Sequence, residues 1–202
     1  MKLYYSPGAC SLSPHIALRE AGLPFELVLA NLQSHQLADG SDYYAVHAKG
    51  YVPLLELDDG QRLGEGPVIV QYIADLVPEK NLAPANGTWA RYRMQEWLNF
   101  TTSELHKGFG ILFTPGMPEE AKTVARTRLL GRLAWVDAQL ADRQFLMGDD
   151  FSVADGYLFN VTNWSGYAGV EIGGLANLAA YRARVAARPA VQAAMRAEGL
   201  LK

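Results

Sequence analysis

The sequence predicts two unlike domains, an α/β domain at the amino terminus and an all-helical domain at the carboxy terminus. Half of the 202 residues are hydrophobic and 19% are charged, which is usual for a globular protein. Alanine, the best helix former, occurs 8 times in residues 1–82 and 20 times in residues 83–202. A segment with two prolines, two asparagines and a glycine, residues 78–87, lies between the two parts. We therefore expect domains at 1–80 and 87–202.

The first domain shows short strand and helix signals in the order β-α-β, then β-β-α. Gly22 and Pro24 end the first helical pattern, and an Asp-Asp-Gly turn joins the last two strands into a hairpin. A parallel pair joined by a helix, followed by a hairpin and a helix, is a thioredoxin-like arrangement. The predicted elements lie at 2–5, 11–21, 25–29, 53–57, 61–63 and 67–76.

The second domain shows long stretches with apolar residues three and four positions apart, which predict helices. Ser152 and Asp155 have the spacing of a capping box. The basic tail is either a docking surface or, as we favour, a solvated helix face. The predicted helices lie at 89–109, 119–141, 152–167, 175–187 and 189–198.

Composition excludes several classes of function. The net charge of −3 favours neither nucleic acid nor anionic membranes as partners. No apolar run has the length of a signal peptide or a membrane span, so we expect a cytoplasmic protein. Cys10 is the single cysteine, so the chain forms no internal disulfide and no cysteine-based metal cage, and we predict no metal site.

Cys10 follows the first strand and a Ser-Pro-Gly-Ala turn, at the opening of a helix. The amide groups and the dipole at a helix start stabilise a thiolate, whereas many isolated cysteines only fill a small apolar space. Both interpretations stay open for this residue. Because Ser13 stands where a Cys-x-x-Cys motif has its second thiol, a reactive Cys10 needs a small external thiol, and this points weakly to glutathione.

Two further segments have the chemistry to bind the rest of such a tripeptide. Glu65-Gly66-Pro67 places a carboxylate and accessible backbone N–H groups at the start of a helix. Glu65 there either binds a ligand ammonium or only complements the helix dipole. A cis Val52-Pro53 bond would turn the Val52 backbone toward a ligand, which could then pair with it as with a strand edge.

In the second domain, Asn99, Ser103 and His106 are spaced by four and three and are predicted to share one helix face. Glu104 flanks them. Either this helix face lines a cleft between the two domains or it is exposed to solvent. From the spacing alone, we slightly favour the solvent-exposed alternative.

With these residues identified, the whole chain resembles bacterial beta-class glutathione S-transferases. The stretches that carry the resemblance are KLYYSPGACSLSPHIALREAG (2–22), KGYVPLLELDDG (49–60), EGPVIVQYIAD (65–75), WLNFTTSELHKGF (97–109) and FSVADGYLF (151–159).

The resemblance implies the glutathione transferase fold, a thioredoxin-like domain followed by an all-helical one, in a homodimer. It implies a cis Pro53 and a glutathione lying between Cys10, the Val52 backbone and Glu65-Gly66, with its sulfur beside Cys10. The other residues that the resemblance places near the ligand, partly across the dimer interface, are Asn99, Ser103, Glu104 and His106. It places Trp164 in the hydrophobic substrate pocket.

The function implied is conjugation of the glutathione thiolate to small hydrophobic electrophiles, a detoxification chemistry. Cys10 and His106 are the expected catalytic residues, and glutathione is a co-substrate rather than a permanently bound cofactor. The alternatives are glutathione-dependent thiol–disulfide exchange and non-catalytic carriage of hydrophobic ligands.

Two positions depart from the family pattern. Position 35 often carries a lysine that meets the glycyl carboxylate of glutathione, and this chain has His35. A neutral imidazole makes a weaker, pH-dependent contact. His47-Ala48 replaces a more usual Asn-Pro.

Overall fold

The structure, a computed structural model, describes all 202 residues and separates into two compact units. Unit 1 comprises Met1–Ala83 together with Arg188–Lys202, and unit 2 comprises Pro84–Ala187. The division between Ala83 and Pro84 falls inside the segment 78–87. The carboxy-terminal residues differ from the expected 87–202 domain, because they belong to unit 1.

Unit 1 begins with the predicted β-α-β and β-β-α pattern, with two short additional elements between its halves. Gly22 takes a left-handed conformation (φ 70°) just after the first helix, which explains why glycine stops that helix. The elements are β1 (Lys2–Tyr5), α1 (Leu12–Ala21), β2 (Glu26–Asn31), β3 (Gln36–Leu37), α2 (Tyr43–Val46), β4 (Leu54–Glu56), β5 (Arg62–Gly64) and α3 (Gly66–Leu76), followed by a 3₁₀ turn at Pro78–Lys80.

The five strands form one sheet in the order β3-β2-β1-β4-β5. β1 pairs in parallel with β2 and antiparallel with β4, so that Leu3 lies opposite both Leu27 and Leu55. The Asp-Gly turn joins β4 to β5 as predicted, with Gly60 at φ 83°. This is the thioredoxin-like arrangement that the sequence predicts.

The sequence pattern predicts neither β3 nor α2. It ends the second strand at residue 29, whereas β2 continues to Asn31. β3 has two residues, and it is a strand only because it pairs with the end of β2. α2 begins where the Asp42 side chain accepts a hydrogen bond from the amide of Tyr44. Elements this short give no measurable periodicity, so they were not predicted.

Unit 2 is helical throughout, as its alanine content predicts. Its elements are α4 (Trp89–Phe100), a π-helical segment (Thr101–His106), α5 (Lys107–Phe113), α6 (Glu119–Gln139), α7 (Val153–Asn163), α8 (Ser165–Ala168) and α9 (Ala176–Ala186).

The helix predicted over 89–109 is helical without a gap, but its hydrogen-bond type changes along the chain. Within it, the Thr102 hydroxyl donates to the carbonyl of Leu98 (2.8 Å) and the Ser103 hydroxyl donates to that of Asn99 (3.0 Å). Side chains that bond these carbonyls compete with the backbone ladder and locally deform a helix. The π-helical segment lies at this position.

The capping box at the start of α7 is present and belongs to a buried network around Asp155. The Asp155 carboxylate accepts hydrogen bonds from the Ser152 amide and hydroxyl, both 2.8 Å, and from the amide of Leu146 and the hydroxyl of Tyr181. Burial raises the pKa of this carboxyl, and the hydrogen bonds from Leu146 and Ser152 oppose that rise. The helix ends at Asn163 rather than near 167, and α8 follows.

The last helix, α10 (Pro189–Ala197), packs against α1 and so completes unit 1. The Glu198 carboxylate lies 2.8 Å from the Nδ1 atom of His15 and accepts a hydrogen bond from the amide of Gly8. Arg188 makes a two-pronged ion pair with Glu20. Part of the basic tail is therefore engaged within the unit. None of the helices is both long enough and apolar enough to cross a membrane.

Replacing Ser152 by alanine is expected to lower the free energy of unfolding by about 1–2 kcal/mol, because a cap is lost and the buried Asp155 carboxylate loses a donor. Ser165→Ala is the matched control, since the Ser165 hydroxyl is also buried but has no hydrogen-bond partner. That change is expected to cost less than about 0.5 kcal/mol. Urea unfolding of both variants measures the difference, and equal losses would contradict the capping role.

Candidate functional site

Cys10 lies in the turn between β1 and α1, two residues before the helix begins. Its thiol donates a hydrogen bond to the carbonyl oxygen of Val52, at an Sγ–O distance of 3.1 Å, and its side chain is half-buried. The amides of Leu12 and Ser13 already donate to the carbonyls of Ala9 and Cys10. The helix therefore opens with a tight turn that uses part of the donor set expected to face a thiolate.

Val52 reaches Cys10 because of the strand register. β1 and β4 are antiparallel with Tyr4 opposite Leu54, so the residues that follow β1 lie beside those that precede β4. The Val52-Pro53 bond is cis, as the family resemblance implies. The Val52 carbonyl is thereby held at the same sheet edge as the turn that carries Cys10.

Strand pairing also places Glu65 and Gly66 at this edge of the sheet. β5 pairs antiparallel with β4, with Gly64 opposite Leu54, so the chain leaving β5 emerges next to Pro53. A Cβ atom on Gly66 would lie 3.7 Å from the Pro53 ring, an ordinary contact distance. The sequence-predicted residues Cys10, Val52, Pro53, Glu65 and Gly66 are thus brought together on one edge of unit 1.

The backbone of Glu65 is strained. It has φ 67° and ψ 106°, a region that residues with a side chain rarely occupy and that costs on the order of 1–3 kcal/mol. Its carbonyl accepts the amides of Val68 and Ile69 at the start of α3, while its carboxylate pairs with Lys49 at 2.9 Å. Sequence reasoning did not single out Lys49, which directly precedes Gly50 in the family-like stretch.

His35, expected to contact the ligand, lies in the turn between β2 and β3 and also has a positive φ of 52°. Its ring packs on that of Tyr44 with centroids 4.4 Å apart. Its Nδ1 atom is buried without a hydrogen-bond partner, and a Cβ atom on Gly50 would lie 2.9 Å from it. One nitrogen of His35 is therefore turned inward, against Gly50.

His47 lies in the loop that leads to Lys49. Burial lowers the pKa of its imidazole, the charge of Lys49 lowers it further, and Glu65 opposes this by raising it. The imidazole is consequently neutral over more of the pH range than an exposed histidine.

In unit 2, His106 ends the π-helical segment. Its Nδ1 atom lies 2.7 Å from the hydroxyl of Tyr157, and its ring packs against Trp164 with centroids 4.9 Å apart. Asn99 and Ser103, by contrast, are exposed, while His106 is half-buried. The uniform face predicted from α-helical spacing is therefore interrupted, because a π-helical turn contains more residues than an α-helical turn.

Trp164 belongs to an aromatic cluster in unit 2 that also contains His106, Phe109 and Phe113. The Phe109 and Phe113 rings meet the indole edge-on, with centroids 6.0 and 6.1 Å away. Phe113 is 49% exposed, so the cluster reaches the surface and can offer apolar contacts to a ligand. Tyr157, which sequence reasoning did not select, supports this cluster through His106.

Glu104, expected near the ligand, interacts with Arg128 and Arg132 of α6 within unit 2. Its carboxylate lies 2.8 Å from Arg132 and 3.2 Å from Arg128. Hydrogen bonds from these two arginines, together with their charges, lower the pKa of Glu104. Its charge is therefore already countered on the protein surface. No group of three or more histidine, cysteine, aspartate or glutamate side chains is arranged to hold a metal ion.

Comparisons with known proteins identify the family. The glutathione S-transferase N-terminal domain matches residues 8–76, and the glutathione S-transferase C-terminal domain matches residues 100–189. The glutathione S-transferase GstA of Escherichia coli O157:H7 is 49% identical over 99% of this chain and 100% of its own length. The chain belongs to the glutathione S-transferase family.

Solved structures of glutathione S-transferases agree with this assignment. A bacterial beta-class glutathione S-transferase from Sphingomonas chungbukensis is 47% identical, with a TM-score of 0.96 over the whole of both chains. A sphingomonad glutathione S-transferase complexed with glutathione gives the same identity, TM-score and coverage. The beta-class resemblance and the glutathione transferase fold predicted from the sequence are both confirmed.

Within this glutathione S-transferase, Lys49→Gln is expected to raise the pKa of His47, because a neighbouring positive charge is removed. The value should stay below the ordinary 6.5, since burial still disfavours the imidazolium. A proton NMR titration of the imidazole Cε1–H signal, assigned with His47→Gln, measures the change.

The stability consequence has a defined sign. Because the folded-state pKa of His47 is below its unfolded value, the folded protein binds fewer protons and loses stability as the pH falls below about 6.5. Lys49→Gln should weaken this loss, whereas Lys80→Gln, an exposed lysine elsewhere in unit 1, should leave it and the His47 pKa unchanged.

Proposed function

We propose that this chain joins the thiolate of glutathione to small apolar electrophiles, and that glutathione lies along the edge of unit 1 formed by Cys10, Val52 and Glu65. The observation that carries the proposal is the 3.1 Å contact between the Cys10 thiol and the Val52 carbonyl. It brings a sulfur-bearing residue next to a backbone segment that a tripeptide can pair with. The relatives described above are named for their action on glutathione, and one is complexed with it.

The backbone of Val52 supports binding in the manner of an added strand. A carbonyl oxygen has two lone pairs, so that of Val52 can accept a ligand N–H beside the Cys10 thiol. Such pairing would set the cysteinyl residue of glutathione opposite Val52 and its sulfur near Cys10.

Glu65 and Gly66 supply the other end of the ligand. The Glu65 carboxylate matches the ammonium of the γ-glutamyl group, and the amides at the start of α3 match its carboxylate. The strained backbone of Glu65 supports a binding role, because strain of this kind is retained mainly at functional sites.

Catalysis requires the thiol of glutathione to ionise near neutral pH. Lowering its pKa from about 9 to about 6.5 corresponds to roughly 3 kcal/mol of differential stabilisation of the thiolate. We assign this stabilisation to the Cys10 turn and, as the family resemblance implies, to His106. The Tyr157 hydroxyl lies 2.7 Å from the Nδ1 atom of His106 and so orients the imidazole ring.

The aromatic cluster around Trp164 is the proposed wall for the apolar electrophile. Its partly exposed rings provide area for hydrophobic contact, and a change of one methylene on a ligand alters such a contact by only about 1–3 kcal/mol. The arrangement thus fits a class of apolar electrophiles rather than one compound. A turnover screen with halogenated aromatics, epoxides and mixed disulfides, each with glutathione, tests the activity and identifies the class.

Homodimer formation is proposed as well, with Asn99, Ser103 and Glu104 near the bound glutathione, partly across the dimer interface. Asn99 and Ser103 are exposed on unit 2, as a contact with a ligand on another copy requires. Sedimentation of the protein at micromolar concentration is expected to give the mass of two chains. A monomer that still turns over glutathione would contradict this arrangement.

The single cysteine also allows thiol–disulfide exchange as a second function. In that reaction the Cys10 thiolate attacks the glutathionyl sulfur of a mixed disulfide, releases the other thiolate and forms a disulfide with the glutathionyl group. A second glutathione thiolate then regenerates Cys10 and leaves as oxidised glutathione.

Cys10→Ser is expected to separate the two activities. Conjugation should fall by about tenfold but persist, because its nucleophile is the sulfur of glutathione and serine retains a donor toward Val52. Reduction of mixed disulfides should fall to background, since no protein sulfur remains. Ser13→Ala, which removes a buried hydroxyl without a hydrogen-bond partner, is the control and should change neither rate. Loss of conjugation to background would make Cys10 indispensable for conjugation and contradict its assigned helper role.

A further inference from the structure

The Lys49–Glu65 ion pair lies at the edge proposed to bind glutathione. Its two charged atoms are 2.9 Å apart, and the side chains are 60% and 66% exposed. An exposed pair of this kind contributes little to stability, because water solvates both charges and screens their attraction. A charged ligand can therefore open it at small cost.

The charges of glutathione require the Lys49–Glu65 ion pair to open on binding. At neutral pH the tripeptide carries one ammonium and two carboxylates. If Glu65 binds the ammonium, as proposed above, its carboxylate exchanges Lys49 for the ligand. The lysine ammonium is then left beside a ligand that still has a carboxylate at its glycyl end.

Lys49 also lies three residues before Val52, the residue proposed to pair with the middle of the tripeptide. The residue after it, Gly50, contacts the His35 ring so closely that a Cβ atom there would come within 2.9 Å of Nδ1. Since that nitrogen is buried against Gly50 and has no partner, it is not presented to a ligand. The flexible side chain of Lys49 therefore starts one residue before the glycine that contacts His35, and it reaches Glu65.

We propose that Lys49 leaves Glu65 when glutathione binds and pairs with the glycyl carboxylate. This inference rests on the proposed function and specifies how the same site balances the ligand's charges. In the free protein the pair keeps both groups compensated, and in the complex each takes a partner of opposite charge from the ligand. Lys49 is thus a specificity-determining residue that favours a ligand with a free carboxylate at its glycyl end.

Isothermal titration of glutathione and of its glycyl monoethyl ester tests the inference. The ester keeps the thiol, the ammonium and the γ-glutamyl carboxylate but lacks the glycyl charge. Lys49→Gln is expected to weaken glutathione binding about tenfold, in the range of a charge-assisted hydrogen bond, and to change binding of the ester by less than twofold. Lys49→Arg should retain most of the preference for glutathione, and Lys80→Gln should bind both ligands as the unmodified protein does.

Three outcomes would overturn the inference. Equal weakening toward both ligands would mean that Lys49 does not sense the glycyl carboxylate. Tighter binding of both would mean that Lys49 only competes with the ligand for Glu65. Loss of the preference in His35→Asn but not in Lys49→Gln would assign the carboxylate to His35; asparagine is chosen there because it tolerates the positive φ. If the unmodified protein bound neither ligand, the proposed function itself would fail, which is distinguishable from these three results.

Discussion

The central position of β1 in the sheet is the constraint on which the candidate site depends. Because β1 pairs with β2 on one side and β4 on the other, the turn after β1 must lie beside the segment before β4. That pairing brings the Cys10 thiol to the Val52 carbonyl. The β4–β5 hairpin then brings Glu65 to the same edge. Three segments that are distant in sequence thus converge because β1, β4 and β5 are paired in one sheet.

The same edge combines a strained backbone, a charged carboxylate and a thiol. Glu65 is held at a positive φ, and its carboxylate pairs with Lys49 at the surface. At the same edge the Cys10 sulfur lies 3.1 Å from the Val52 carbonyl oxygen.

In unit 2, hydrogen bonds from side chains to the backbone accompany a change in helix geometry next to the candidate catalytic residue His106. The hydroxyls of Thr102 and Ser103 bond carbonyls one turn earlier, and the helix becomes π-helical through His106. Tyr157 and Trp164, both in or next to α7, then contact the imidazole. The buried Asp155 network holds the start of that same helix. The buried Asp155 network and the candidate catalytic residue His106 are thereby linked through α7.

By itself, the sequence determined the order of strands and helices in unit 1, the helical nature of unit 2, the capping box and the place of Cys10 before a helix. These features depend on local spacing, on turn residues such as Gly22 and on caps, which neighbours in sequence define. Only the tertiary structure decided that Cys10 faces Val52, that Lys49 pairs with Glu65, and that the last helix returns to unit 1. Such partners are chosen by strand register and packing between distant segments, and no local periodicity encodes that choice.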